Sequence, residues 1–125
     1  VAMSRFNPPM QRIIAALLLF MCVPLDGAAQ DGRWAHTFEG TRTTFLELKG
    51  SRLLVWQHMH RSGDCTMYPS RVERHEQYIR HPGGTIWYFE ERRDKLVVEM
   101  PSVDTTITYR ATTTDPRDLC DIRKL

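Results

Sequence analysis

Two histidines and a nearby cysteine are the residues of this sequence best suited to binding a metal ion. His58 and His60 are two positions apart, so on a β-strand both imidazoles lie on one face. Imidazole is a common ligand of zinc and copper. A zinc site takes three or four protein ligands, however, and Cys65 is also a candidate for a disulfide. We therefore predict no metal site, with His58 and His60 as the only candidates.

Catalytic motifs are absent from the sequence. It contains no Gly-x-Ser-x-Gly, no His-Glu-x-x-His and no phosphate-binding glycine loop. Glu90 and Glu91 are adjacent, so on a strand they point to opposite faces and do not form a pair of catalytic carboxylates. We expect no catalytic residue, no cofactor and no enzymatic activity.

Aromatic residues are abundant and are concentrated in the run Ile86-Trp87-Tyr88-Phe89. On a strand Trp87 and Phe89 share one face, whereas Ile86 and Tyr88 share the other. The interior of a barrel takes only one of these faces, so the other would expose residues that can contact a partner. The candidate binding residues are Trp56, Trp87, Tyr88 and Phe89.

The elements that must position these residues are short strands. Apolar and polar residues alternate with a period of two, and breaks rich in Gly, Pro and Asp recur at hairpin-like intervals. This pattern predicts an all-β domain, a small antiparallel meander barrel of about eight strands. The predicted strands lie at about 33–38, 42–48, 52–60, 64–73, 76–81, 85–91, 95–100 and 105–112.

Residues 71–81 fit two structures. Ser70-Arg71-Val72-Glu73 matches a capping box, and Pro82-Gly83 is a helix stop, so a helix would fit. The apolar stripe of that helix would be thin, however, because only Val72 and Ile79 contribute to it. We favour a strand, which would form one arm of a hairpin.

Residues 1–29 have the pattern of an export signal. Arg5 and Arg12 supply positive charge, residues 13–23 are apolar and uncharged, and small residues precede and include Ala29. We predict cleavage after Ala29. This would leave a single domain of residues 30–125.

Two other fates of this leader remain open. Spanning a bilayer takes roughly 20 apolar residues, so residues 13–23 are too few for an ordinary uncleaved anchor. Lipid modification of Cys22 is disfavoured because Phe20 and Met21 are too large for a lipobox. After cleavage, no membrane span is expected.

The composition limits the cellular compartments and the classes of partner that fit this protein. With 17 Lys and Arg against 15 Asp and Glu, the net charge is +2. The sequence has no long basic run, which argues against nucleic acid as a partner. Asn7 lies in the leader and is the only asparagine, so the mature domain has no N-glycosylation sequon. Together with the leader, this favours a bacterial periplasmic or secreted protein.

Cleavage would leave two cysteines, Cys65 and Cys120. An even pair in an oxidising compartment indicates a disulfide, and the absence of a Cys-x-x-Cys spacing argues against a redox or metal pair. We predict that this disulfide ties the polar tail, residues 113–125, to the barrel.

Gly32-Arg33-Trp34, at the start of the first predicted strand, resembles the Gly-x-Trp motif of lipocalins and related calycin barrels. The motif covers three residues, the chain is shorter than a typical lipocalin, and the later motifs of the family have no match. The resemblance implies an eight-strand meander barrel in which Trp34 packs across the floor. It also implies a small apolar ligand.

Two functions follow from these observations. The first is a non-enzymatic protein-interaction or inhibitor-type module whose partner is an unidentified protein. The alternative is a lipocalin-like carrier of a small apolar ligand. An open interior of roughly 300 Å³ or more would favour the carrier.

Overall fold

The computed structural model describes residues 31–121, 123 and 125 as an antiparallel, nearly closed barrel of nine strands. The predicted export signal, residues 1–29, lies outside the described residues. The strands are β1 (Gly32–Phe38), β2 (Arg42–Lys49), β3 (Arg52–Met59), β4 (Cys65–Arg71), β5 (Glu73–Arg74), β6 (Tyr78–Arg80), β7 (Ile86–Arg92), β8 (Lys95–Met100) and β9 (Thr105–Ala111). The all-β prediction is confirmed.

The sheet has the order β4-β3-β2-β1-β9-β8-β7-β6-β5. Most pairings join strands that are neighbours in sequence, as in a meander. The exception is β1 with β9, which places Trp34 opposite Ala111. The ends of the sheet, β4 and β5, are separated in the chain by Val72 alone, so the two open edges of the barrel meet at one seam.

Residues 71–81 are extended rather than helical, as predicted. Glu73 pairs with Arg80 in the β5–β6 hairpin. The count is nine rather than eight because the strand predicted at 64–73 is interrupted at Val72. The amide of Val72 donates to Ser51 O at 2.7 Å, and its side chain is buried in the core.

The core fills one half of the barrel. Alternate residues of each strand point inward, as the pleat requires, and the side chains of the buried cluster are apolar apart from the Tyr109 hydroxyl and the Trp34 indole N–H. Its members are Trp34, Leu46, Leu48, Leu53, Val72, Ile79, Phe89, Leu96, Val98 and Tyr109. Trp34 lies in this core as the Gly-x-Trp resemblance implied. A Cβ on Gly32 would come within 3.0 Å of its ring, so the glycine makes room for the indole.

The C-terminal tail covers part of the outer face of the barrel. Asp115 caps one helical turn, α1 (Pro116–Leu119), by accepting from the Arg117 amide, so the tail is less irregular than the sequence suggested. The predicted disulfide between Cys65 and Cys120 is present, with a Cα–Cα distance of 5.7 Å. This bond is compatible with an oxidising compartment. Across the described part of the chain, no helix has the length and apolar character needed to cross a membrane.

Candidate functional site

The half of the barrel opposite the core is an open cup of about 420 Å³. Its wall is built from the inward-facing positions of seven strands, β1 to β4 and β7 to β9, joined by His81 from the β6–β7 turn. The residues that line it are Phe38, Arg42, Thr44, Leu46, Leu53, Val55, Gln57, Tyr68, Ser70, His81, Trp87, Met100, Ile107 and Tyr109. The wall is thus mainly apolar, with a few polar groups that can orient a ligand.

Arg42 stands at the start of β2, on the face of that strand that carries Leu46. Its guanidinium carbon lies 4.2 Å from the centre of the Phe38 ring, in a cation–π contact. The Nε atom is buried and has no hydrogen-bond partner. A buried guanidinium N–H without an acceptor is unfavourable, so this group is available to a ligand.

His81 is the second polar group of the cup with an unused atom. Its Nδ1 lies 3.5 Å from Ser70 Oγ, and its ring packs edge-on against Trp87 at 4.4 Å. The Nε2 atom is buried and has no partner. Burial lowers the pKa of His81 below 6.5, so the ring is neutral at pH 7.

The Tyr109 hydroxyl adds no charge to the cup. Burial raises the pKa of Tyr109 to about 12, although the positive charge of Arg42 acts in the opposite direction. With Tyr109 protonated and His81 neutral, Arg42 is the one charged side chain among the residues that line the cup.

A second apolar cluster lies on the outside of the barrel, beneath the tail. Phe45, Trp56 and Cys120 are its buried members. The carboxylate of Glu47 holds it in place, because it accepts hydrogen bonds from Trp56 Nε1 at 3.1 Å, Arg33 Nε at 2.8 Å and the Arg117 guanidinium at 2.8 and 2.9 Å.

These donors decide the ionisation of Glu47. Burial alone would raise its pKa, but the hydrogen bonds from Arg117, Arg33 and Trp56 outweigh burial and hold the pKa below its ordinary value. A groove of about 540 Å³ runs past this network on the outside of the barrel. The Glu47 carboxylate, which lines this groove, already accepts from three donors, so the cup is the better candidate for a ligand site.

The structure separates the four predicted binding residues. Trp87 lines the cup, whereas Phe89 lies in the core. Tyr88 points outward and is 44% exposed. Trp56 is only 2% exposed because the tail covers it.

The predicted metal candidates lie on the outer face of β3 and the turn that follows it. The ring centres of His58 and His60 are 6.2 Å apart, and His60 Nε2 is 2.9 Å from Thr43 Oγ1. Within the described ranges, no group of three or more His, Cys, Asp and Glu side chains could hold a metal ion.

Arg42 and His81 did not stand out in the sequence as candidates for a ligand site. A signal for Arg42 was available, since it has the same strand parity as Leu46 and Leu48, and a charge at an inward position is unusual. No comparable signal marked His81, because it lies in a turn and enters the cup only when the barrel curves closed.

Comparison of the chain with models of protein families, with curated proteins and with solved structures finds no match.

Proposed function

We propose that this chain is a non-enzymatic binding protein that holds a small, mainly apolar molecule inside the barrel. The observation that carries the proposal is the open cup of about 420 Å³. Small-molecule sites occupy about 300–1,000 Å³ and are lined by apolar side chains with a few polar groups. Here the large side chains fill the floor and leave the mouth open.

The barrel architecture and the leader support an exported, lipocalin-like carrier. The position of Trp34 in the core agrees with the Gly-x-Trp resemblance, and the disulfide suits the periplasm or the exterior of a bacterial cell. Intact-mass analysis of exported protein should show a chain that begins at Gln30. A mature species that retains residues 13–23 would overturn the export part of the proposal.

The test of the cup uses the neutral probe N-phenyl-1-naphthylamine, whose fluorescence rises on transfer to an apolar site. Val55→Trp places a large ring in the cup and should weaken probe binding about tenfold or more. Val97→Trp is the matched control, since Val97 lies between the inward-facing Leu96 and Val98 and therefore faces outward. Equal binding by all three proteins, or none, would overturn the proposal.

A protein-interaction or inhibitor-type module is the second candidate, and the outer face of β6 and β7 favours it. The ring centre of Tyr88 lies 5.9 Å from that of Tyr78, which stacks on His75 at 4.4 Å. Exposed aromatic rings are frequent anchors in protein interfaces. A pull-down from periplasmic extract should lose a specific partner with Tyr88→Ala, and identical results with wild type would reject this candidate.

A further inference from the structure

The cup contains one positive charge and no counter-charge. Among its lining residues there is no Asp or Glu, and Tyr109 and His81 are neutral at pH 7. The described residues form several ion pairs, but none of these pairs includes Arg42. Arg42 instead rests on the Phe38 ring with Nε buried and unpaired. The cup therefore presents a cation that nothing in this part of the protein neutralises.

We propose that the ligand is a small amphipathic carboxylate whose head group pairs with Arg42 and whose apolar body fills the cup. This inference rests on the proposed function and specifies its ligand class. The Nε and one Nη of a guanidinium form a fork that matches the two oxygens of a carboxylate. A single unpaired cation balances a monoanion, whereas a phosphate dianion would need a second positive group.

The buried Nε2 of His81 supplies a second contact in the same cup. When the Ser70 hydroxyl donates to Nδ1, the proton of the neutral ring lies on Nε2. That N–H can donate to an oxygen of the ligand, and its buried position leaves it no other partner among the described residues. Arg42 and His81 thus present donors to an acceptor-bearing ligand.

The apolar part of the ligand would contact the remainder of the wall. Leu46 and Leu53 are fully buried at its lower end, and Trp87, Val55 and Ile107 form its sides. A purely apolar molecule could occupy this space, but it would bury Arg42 further without giving it an acceptor. Burial of an unpaired charge is strongly unfavourable, which selects for a ligand with an anionic end.

The test compares three ligands that share a ten-carbon chain: decanoate, decyl sulfate and decanol. Each displaces N-phenyl-1-naphthylamine from the folded protein, and the Kd is taken from the displacement curve. Decanoate should bind wild type about tenfold or more tightly than decanol, as expected for a charge-assisted hydrogen bond. Decyl sulfate should be the weaker anion, since a sulfate ester is far less basic than a carboxylate and accepts weaker hydrogen bonds from the guanidinium of Arg42.

Arg42→Gln should weaken decanoate binding about 10- to 100-fold without weakening the binding of decanol, because the variant also removes the charge that decanol would bury unpaired. Arg110→Gln is the matched control, because Arg110 is exposed on β9 and its removal lowers the net charge equally. It should leave the affinities for decanoate and decanol at their wild-type values.

Three results would overturn the inference. They are equal binding of decanoate and decanol, an equal effect of Arg42→Gln and Arg110→Gln, and binding of decyl sulfate tighter than that of decanoate. None of these results contradicts the proposed function if the neutral probe still binds wild type and Val55→Trp still weakens its binding. Failure of the neutral probe to bind any variant would instead reject the proposed function.

Discussion

Ser70 Oγ and His81 Nδ1 lie 3.5 Å apart across the seam of the barrel. Ser70 belongs to β4, one end of the sheet, and His81 follows β6, near the other end. The contact is long for a hydrogen bond, but it joins two edges that share no ladder of backbone bonds. His81 therefore belongs both to the wall of the cup and to the closure of the barrel.

We expect His81 to make the folded state less stable in mild acid. Burial lowers its pKa in the folded state below 6.5, so below that pH the unfolded chain binds more protons than the folded one. The contribution of the neutral imidazole to the stability of the folded state is complete above pH 6.5. It is lost as the pH falls through the pKa that His81 has in the folded state. Urea unfolding at pH 7.5 and 5.5 should show this decrease.

The carboxylates with lowered pKa values affect the stability of the protein at lower pH than His81 does. The pKa of Asp31 is lowered mainly by its hydrogen bond from Arg74, and that of Asp115 mainly by the Arg117 amide. Their effects on stability, like that of Glu47, appear only at lower pH. His81→Gln should flatten the dependence between pH 7.5 and 5.5, with His58→Gln on the outer face as the control substitution. If the free energy of unfolding of His81→Gln depends on pH as steeply as that of wild type, the pH dependence does not come from His81.

Glu47→Gln should lower the free energy of unfolding by about 1.5–3 kcal/mol, the range for hydrogen bonds to charged groups. The side chain of Glu47 is 13% exposed and accepts from three residues, so a neutral amide there would lose the charge-assisted bonds from the partly exposed Arg33 and Arg117. Chemical denaturation measures the change.

Glu90→Gln is the control for that substitution. Its carboxylate pairs with Arg92 at 2.8 Å, but the two side chains are 58% and 65% exposed. Exposed pairs contribute about 0–1 kcal/mol, so Glu90→Gln should have a small effect. Similar effects at the two positions would show that the tail network is solvated.

Replacing both Cys65 and Cys120 with Ser should destabilise the domain by about 4 kcal/mol in the chain-entropy model. The bond joins residues 55 apart in sequence and holds the tail over Trp56. Loosening of the tail should also increase acrylamide quenching of tryptophan fluorescence. Adding Trp56→Phe should abolish the increase, and an increase that persists would assign it to another part of the barrel.

Gly32→Ala should destabilise the protein by about 1–3 kcal/mol, the range for overpacking. Where space is open, the same change stabilises by about 0.4–1 kcal/mol, so the sign of the effect is decisive. The added Cβ would lie 3.0 and 3.1 Å from two ring atoms of Trp34. Thermal unfolding gives the sign, and near-ultraviolet circular dichroism reports on the indole. An increase in stability would show that the ring moves freely.

The alternation of residues predicted most of the strands but not which face was inside. In β2 and β3 the two faces are similarly apolar, because Phe45 and Trp56 point outward beneath the tail. That cover comes from residues far away in sequence, so local periodicity could not reveal it. The cup could not be predicted from the sequence either, since it depends on the pairing of β1 with β9 and on the approach of His81 to Ser70.

The pairing of β1 with β9 also has a consequence for the kinetics of folding. It joins Trp34 to Ala111, whereas the other pairings join strands that follow each other along the chain. The entropy lost on closing a loop grows with the logarithm of its length, and proteins with distant contacts fold more slowly. The hairpins of β1 to β4 and of β5 to β9 can therefore form early and independently. We expect the pairing of β1 with β9, which joins these two halves, to limit the rate of folding.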